Sequence, residues 1–292
     1  MLSRTAHDEA AVAPPVPPGR PATELLKACH PLPAAAVTVL AAALAAVTGR
    51  GFPGGLAVVA AVAAGQLSVG WCNDRVDLGR DRTVGRQDKP LVRGLVPPRT
   101  VAVAAGASLA VCVPLSLACG LLAGCVHLVC VAAAWWYNLQ LKRTVFSWVP
   151  YAVAFGLLPA VVTLGLPGAP WPPAWLMAAA ALLGTGAHFA NVMPDIEHDL
   201  VTGVNGLPQR LGRGRSGLMA ALLVLSSSFV LLLAPPGAVS PAGWVIASST
   251  VLLCSVAVAS PGAARGRLPF LATVVIAGAD VVQLLLRSAQ FG

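Results

Sequence analysis

Residues 55–81 read GLAVVAAVAAGQLSVGWCNDRVDLGRD. The first eighteen carry no charge, whereas the last nine hold Asp74, Arg75, Asp77, Arg80 and Asp81. An uncharged run close to the roughly 20 residues that cross a hydrocarbon layer as a helix predicts a membrane span. The abrupt onset of charge predicts where that span leaves the layer. The run is continuous, without alternation of polar and apolar residues, so it reads as a helix and not as a strand of a barrel.

Comparable runs recur on both sides of this one. They predict spans at 32–48, 55–72, 100–119, 121–140, 146–166, 174–193, 216–234, 242–260 and 268–287, nine in all. Turn-forming breaks separate several of them, at 51–55 (GFPGG), 166–170 (LPGAP) and 234–237 (APPG). The whole chain agrees with this reading. It is 57% apolar and only 10% charged, against about 45–50% and about 25% in soluble domains, which excludes a water-soluble globular fold. Seven cysteines without a CxxC pair, most of them inside apolar runs, predict neither a disulfide framework nor a zinc site. Residues 1–27, rich in Pro and Ala, lack the basic-then-apolar order of a signal peptide. They predict a disordered tail, with the transmembrane domain occupying 28–292.

A net charge of +8 would point to nucleic acid in a soluble protein. Here its placement points to topology instead. Alternating sides at each span puts 17 of the 19 Lys and Arg on one side and leaves only Arg50 and Arg287 on the other. Positive charge is retained in the cytoplasm. The N-terminus and the Asp-rich loops are therefore expected there, with the C-terminus outside. The expected architecture is an all-α, multi-pass protein of the cell membrane, partnered by the lipid bilayer and not by nucleic acid.

Seven of the eleven acidic residues fall in two of these cytoplasmic loops: Asp74, Asp77, Asp81 and Asp88, then Asp195, Glu197 and Asp199. Both clusters place Asn, Asp and Asp at i, i+4 and i+8. The first uses Asn73, Asp77 and Asp81, and the second, 118 residues on, uses Asn191, Asp195 and Asp199. On a helix this spacing stacks three groups along one face, about 6 Å per step. The clusters close the second and sixth spans, as two four-helix units plus one helix would place them. Stacked carboxylates at a helix C-terminus repel one another and oppose the helix dipole, a cost that bound cations offset. Oxygen-only groups suit Mg2+, which takes one or two carboxylates with water and phosphate oxygens. Two such clusters could hold a diphosphate between them, with Arg80, Arg82, Arg86 and Lys89 on the phosphates. Neutralising the leaving diphosphate lets an allylic C–O bond ionise, and the apolar bundle offers a dry slot for an isoprenoid tail. Taken alone, the charge-alternating segment 77–89 reads equally well as a solvated loop. Recurrence of the same spacing in so acid-poor a chain argues against that.

At these residues the chain resembles the UbiA superfamily of intramembrane prenyltransferases. Its NDxxDxxxD motif is matched by Asn73, Asp74, Asp77 and Asp81, followed by Arg82-Thr83 and Lys89-Pro90-Leu91 with Gly94. Its DxxxD motif is matched by Asp195 and Asp199, followed by Gly203 and Leu207-Pro208. Tyr137 and Leu141-Lys142-Arg143-Thr144 are similar to the stretch closing the fourth helix. Two positions depart from the pattern. His30-Pro31 stands where Arg-Pro is usual, and Lys89 replaces an Arg, which keeps the charge and loses the bidentate fork. The resemblance implies nine helices around a central cavity and Mg2+-dependent transfer of a prenyl group from an isoprenoid diphosphate donor to a hydrophobic or aromatic acceptor, the work of an enzyme that transfers alkyl or aryl groups other than methyl. It implies metal and catalytic roles for Asp77, Asp81, Asp195 and Asp199, with Asn73 also a ligand. It implies that Asp74 and Asn191 ligate or orient, and that Arg82, Arg86, Lys89 and Lys142 bind diphosphate. A terpene cyclase of the same superfamily, which needs no acceptor, fits the same motifs. A cation transporter fits them less well, because few ionisable groups continue through the apolar runs.

Other polar residues leave alternatives open. Asp280, inside the ninth run, reads as functional or as a helix–helix hydrogen bond. His188, three residues before Asn191, reads as a substrate contact or as a packing residue, and His127 as structural. Trp135 and Trp136 read as an interfacial belt. Tyr137 reads either way, as belt or as a cavity aromatic that shields a carbocation.

Overall fold

The computed structural model describes residues 21–259, 266 and 268–288. Arg4, Arg20, Arg265 and Arg267, which entered the charge count, lie outside them. Among the described residues there is no strand. The helices are α1 (Pro21–Lys27), α2 (Pro31–Val47), α3 (Phe52–Thr83), α4 (Pro98–Ala118), α5 (Leu121–Leu139), α6 (Val149–Thr163), α7 (Ala174–Val192), α8 (Ile196–Val201), α9 (Leu207–Leu233), α10 (Pro241–Ala259) and α11 (Leu268–Ser288). Each apolar run falls on one of the longer helices. Among the described residues seven helices are long and apolar enough to cross a membrane. The pair α1 and α2, bent by 68°, makes an eighth if it is one broken span, and the 15-residue α6 is shorter than the rest.

Neighbours in sequence are neighbours in space. α3 packs on α2, α4 and α5; α6 lies between α5 and α7; α7 backs onto α9, and α9 onto α10. α11 returns to α2 and α7 and closes the ring. With no hydrophobic drive between helices in lipid, polar contacts and close packing hold such a ring together. Ser68 donates to the Ala105 carbonyl (3.0 Å) and Ser227 to the Ala179 carbonyl (2.8 Å). At the end away from the acids, Arg50 donates to the Val162 and Cys119 carbonyls (2.5 and 2.7 Å), satisfying acceptors that the ends of α6 and α4 leave open.

Three local expectations are corrected. First, Asn73 to Asp81 do not lie in a loop. α3 runs on for eleven residues past Cys72, because 73–83 holds no proline, its one glycine, Gly79, costs only about 1 kcal/mol, and Arg80 and Arg82 sit favourably in its last turn. At 32 residues it is about 48 Å long, well beyond a hydrocarbon core of about 30 Å. The motif is thus carried on a rigid helical extension that ends only before Gly85, at φ +67°. Second, the matching cluster does not repeat this geometry. Pro194, which has no N–H to give, stops α7, and a single 3₁₀ turn, Met193–Asp195, leads into the short α8. Asn191 ends up exposed while Asp199 is buried, so the three groups do not share one α-helical face.

Third, residues 21–27 are not part of a disordered tail. They form α1, whose buried Glu24 is paired with Lys27 (2.7 Å). The Trp71 indole N–H donates to the Leu25 carbonyl (2.8 Å), and Leu25 and Ala28 pack against Leu78, Leu91, Val96 and Val101. The sharp elbow after α1 places His30 in the left-handed region, at φ +56°. α3 reaches this elbow only because residue 70 is glycine, since a Cβ there would run into the Cys29 carbonyl. Gly70→Ala is expected to destabilise the protein by about 1–3 kcal/mol, the usual cost of overpacking. A melting temperature in detergent several degrees below that of the unchanged protein is the expected reading. An unaltered melting temperature would show that α1 does not depend on α3 for its place.

Candidate active site

The extension of α3 meets α8 and the turn after α5 at one end of the bundle, and the acids converge there among cations. Asp77 is the centre. Lys142, in the 3₁₀ turn Leu141–Arg143, donates to its Oδ1, and Arg80 donates to its Oδ2 (2.7 Å). The second arm of Arg80 lies 3.5 Å from Asp199 Oδ1, so one guanidinium bridges the first acidic cluster to the second. Asp199 Oδ2 accepts from Gln209 Nε2 at 2.7 Å. Lys142 and Asp77 are both buried. Burial pulls the Lys142 ammonium below the usual lysine range, and the Asp77 carboxylate opposes that pull.

A second knot joins Asp74, Lys89 and His30. Lys89 donates to Asp74 Oδ1, His30 Nε2 lies 2.8 Å from the same oxygen, and Lys89 Nζ is 3.0 Å from His30 Nε2. His30 thus occupies the place where the sequence departs from Arg-Pro, and it reaches the acid cluster all the same. A third pairing involves Arg86, which donates to Asp195 Oδ1 (2.8 Å) and holds Asp88 through two bonds of 2.9 Å. The Arg86 guanidinium pushes the Asp88 carboxyl down to about 2. Asn73 donates to Asn138 Oδ1 at 3.1 Å, and Asn138 donates in turn to the Val69 carbonyl.

Two expected residues stand apart. Arg82 is exposed and its side chain makes no hydrogen bond among the described residues, whereas Arg80 faces Asp77. Asn191 is also exposed, and it neighbours Tyr151.

The seven side chains expected as metal ligands do not converge as a ready-made cage. Among the described residues no three Asp, Glu, His or Cys side chains could hold a metal ion by themselves. The donor set still fits a hard cation that brings other ligands with it. The Asp81 side chain is buried with no hydrogen bond or ion pair among the described residues, and Asp74 Oδ2 and Gln209 Oε1 are buried without a partner. These are oxygen ligands in want of a positive centre.

Just inside the acids lies an aromatic layer. Tyr137 meets Tyr151 edge-on (5.2 Å between ring centres) and His188 edge-on (5.6 Å), while Tyr151 lies against His188 at 4.7 Å. Tyr137 is near enough to Asp199 and Asp77 to feel their charge. The His188 ring is set by Ser147 Oγ, 3.1 Å from Nε2, and Ser147 also accepts the Leu207 N–H (3.2 Å). His188 Nδ1 is buried without a partner.

Sequence reasoning missed Gln209, Asn138, Ser147 and Tyr151. Neutral side chains leave no trace in a count of charges. Tyr151 alone had a signal, because the chain contains only two tyrosines and Tyr137 is the other.

The sequence model of the UbiA prenyltransferase family matches residues 35–265. None of the curated proteins matches the sequence. Among solved structures, the apo structure of a UbiA homolog from Aeropyrum pernix is similar with a TM-score of 0.68, at 17% identity over 92% of this chain and 99% of that one. A UbiA homolog from Archaeoglobus fulgidus bound to GPP and Mg2+ gives 0.65, at 17% identity over 91% of this chain and 99% of that one. A structure of digeranylgeranylglyceryl phosphate synthase gives 0.62, at 15% identity over 91% and 99%. At such identities the likeness is one of fold.

Proposed function

Because the chain belongs to the UbiA prenyltransferase family, we propose that it transfers a prenyl group, with Mg2+, from an isoprenoid diphosphate to a hydrophobic or aromatic acceptor inside the membrane. The observation that carries this reading is the Arg80 bridge, which brings Asp77 of α3 and Asp199 of α8 to one cation. Two acidic clusters 118 residues apart in sequence thereby share one centre. The relative bound to GPP and Mg2+ supports the choice of donor and metal. With α2 and α6 counted as crossings, the spans among the described residues number nine. The lysine and arginine bias then puts the acidic end in the cytoplasm and the C-terminus outside.

Asp77, Asp81, Asp195 and Asp199 would hold magnesium, with Asn73 and Asp74 beside them. When bound, the metal supplies Lewis-acid charge that stabilises the leaving diphosphate. This chain's cations do the complementary work. Lys142, Arg80, Arg86 and Lys89 each face a carboxylate now, and each can turn the same N–H groups onto phosphate oxygens. Charge developing on the leaving group is then met by donors already in place. Tyr137, Tyr151 and His188 would line the slot just inside and face the allylic carbons. Their ring faces favour a delocalised cation, and the packed apolar helices beyond them keep water from quenching it.

The test is incubation of the purified protein with prenyl diphosphates and Mg2+, with and without a panel of acceptors, read by mass spectrometry. Diphosphate release that depends on acceptor, with a prenylated product, is the expected result. Prompt formation of a cyclic hydrocarbon without acceptor would replace the transferase reading with a terpene cyclase.

A further inference from the structure

A cavity lies beyond the aromatic layer, lined by Leu44 of α2, Phe155 and Leu158 of α6, Leu183 of α7 and Asp280 of α11. It offers about 40 Å³ to the centres of water-sized molecules. Its exposed walls are hydrocarbon, and Asp280 and Ser227 are the polar residues around it. Asp280 is 2% exposed, its Oδ2 accepts from Ser228 (3.0 Å), and its Oδ1 has no hydrogen-bond partner among the described residues. Gln283, nearly one turn further along α11, is equally buried, and neither of its amide atoms is paired. Unsatisfied groups buried this deeply are rare in a native core and call for an O–H or N–H partner.

Phe155 touches both compartments. It lies parallel to Tyr151 at 6.5 Å, and it also lines the cavity. Four residues separate the two along α6, a rise of about 6 Å. The ring is wedged against α7 at Gly184, where a Cβ would run into it, so it has little room to swing aside.

We propose that Phe155, backed by the Asp280, Ser228 and Gln283 cluster, is the end-stop of the slot for the donor's hydrocarbon tail and sets the longest isoprenoid diphosphate accepted. This rests on the donor reading above. A tail anchored by its diphosphate at the acids passes Tyr137 and Tyr151 and meets the Phe155 ring next. Past the ring the space is narrow, and Asp280, whose Oδ1 wants a donor, stands at its wall. Hydrocarbon cannot supply one, so apolar groups packed there leave the carboxylate unpartnered. The stop is therefore steric first and polar second, and Asp280 takes a specificity role without touching the reacting atoms.

The test compares unchanged protein with Phe155→Ala, Phe155→Leu, Asp280→Leu and the double variant Phe155→Ala/Asp280→Leu. Donors are dimethylallyl, geranyl, farnesyl and geranylgeranyl diphosphate. kcat/KM is measured for each, together with Kd for each in the presence of Mg2+, which does not depend on turnover. Phe155→Ala is expected to raise the ratio of longest to shortest donor by about tenfold or more, the scale on which pockets discriminate hydrocarbon groups. Phe155→Leu should give a smaller rise. Asp280→Leu alone should change little, because the ring still blocks, whereas the double variant should exceed Phe155→Ala several-fold. Length ratios unmoved in both folded Phe155 variants would overturn the end-stop, and a double variant no better than Phe155→Ala would overturn the polar part. If the unchanged protein binds donors without turning any over, the transfer reading fails while the Kd ratios still decide the end-stop. Failure to bind any donor sinks both.

Discussion

Asp77→Ala is expected to lower kcat/KM by about three orders of magnitude, a loss of about 4 kcal/mol of transition-state stabilisation. Among the described residues Asp77 is the carboxylate paired with both a lysine and an arginine, Lys142 and Arg80, and Arg80 carries the link to Asp199. Its removal costs more than a ligand oxygen. It leaves the buried Lys142 without a counter-charge, and breaking one side of a buried pair costs about 3–5 kcal/mol of stability. Activity could therefore fall because the site loosens rather than because the carboxylate is chemically needed. The double variant Asp77→Ala/Lys142→Met separates the two. Methionine fills the lysine's volume without its charge, so stability should return, measured by thermal melting in detergent, while turnover stays lost. A double variant that regains activity would reduce Asp77 to a tether for Lys142. Asp195→Ala is the companion case. Asp195 is half-exposed and, among the described residues, paired only with Arg86, so its loss should remove turnover with little effect on melting. Near-normal turnover in either single variant would refute the assigned site.

How far the sequence foretold this site depends on the kind of signal each residue leaves. The helices themselves were legible because an uncharged run of some twenty residues has few other physical readings. The acids were legible by scarcity. Their presentation was not: charge density after Cys72 suggested a loop, yet Val76 and Leu78 are apolar, and no proline appears before Gly85. Helical phase also separates Arg80 from Arg82. Arg80 stands three residues from Asp77 and shares its face, while Arg82, five residues on, is turned about 140° away. Pro194 was visible, and its effect on the uniform i, i+4, i+8 count followed from its missing N–H. α1 could not be read from its own seven residues. Its partners, Trp71, Leu78 and Leu91, are supplied by distant parts of the chain, and so short a helix is marginal without them. Asp280 was noticed as an intramembrane carboxylate, but the cavity it lines arises from five helices meeting and has no counterpart in any one of them.

Mg2+ and a prenyl diphosphate should bind cooperatively, each tightening the other by at least about 30-fold, a coupling of about 2 kcal/mol. The argument starts from the pairings at the acidic end. Asp74 is held by Lys89, Asp77 by Lys142 and Arg80, and Asp195 by Arg86, while Asp199 lies near Arg80. Carboxylates so engaged are poor ligands, because offering them to magnesium strips these cations of their partners, and Lys142 is too buried for water to compensate. Diphosphate alone meets the converse difficulty: the cations attract it, but the carboxylates beside them repel it. Together the two ligands resolve both costs, since cations pass to phosphate as carboxylates pass to metal. Linkage requires the factor to be the same from either side. Titration calorimetry with an unreactive prenyl diphosphate analogue, with and without Mg2+, and then in the reverse order, measures it twice. Lys142→Met should shrink the coupling by freeing Asp77 in advance, so that Mg2+ alone binds more tightly than to the unchanged protein. Independent binding of the two ligands, or a coupling indifferent to Lys142, would mean that these ion pairs are a permanent scaffold rather than partners exchanged when the substrate arrives.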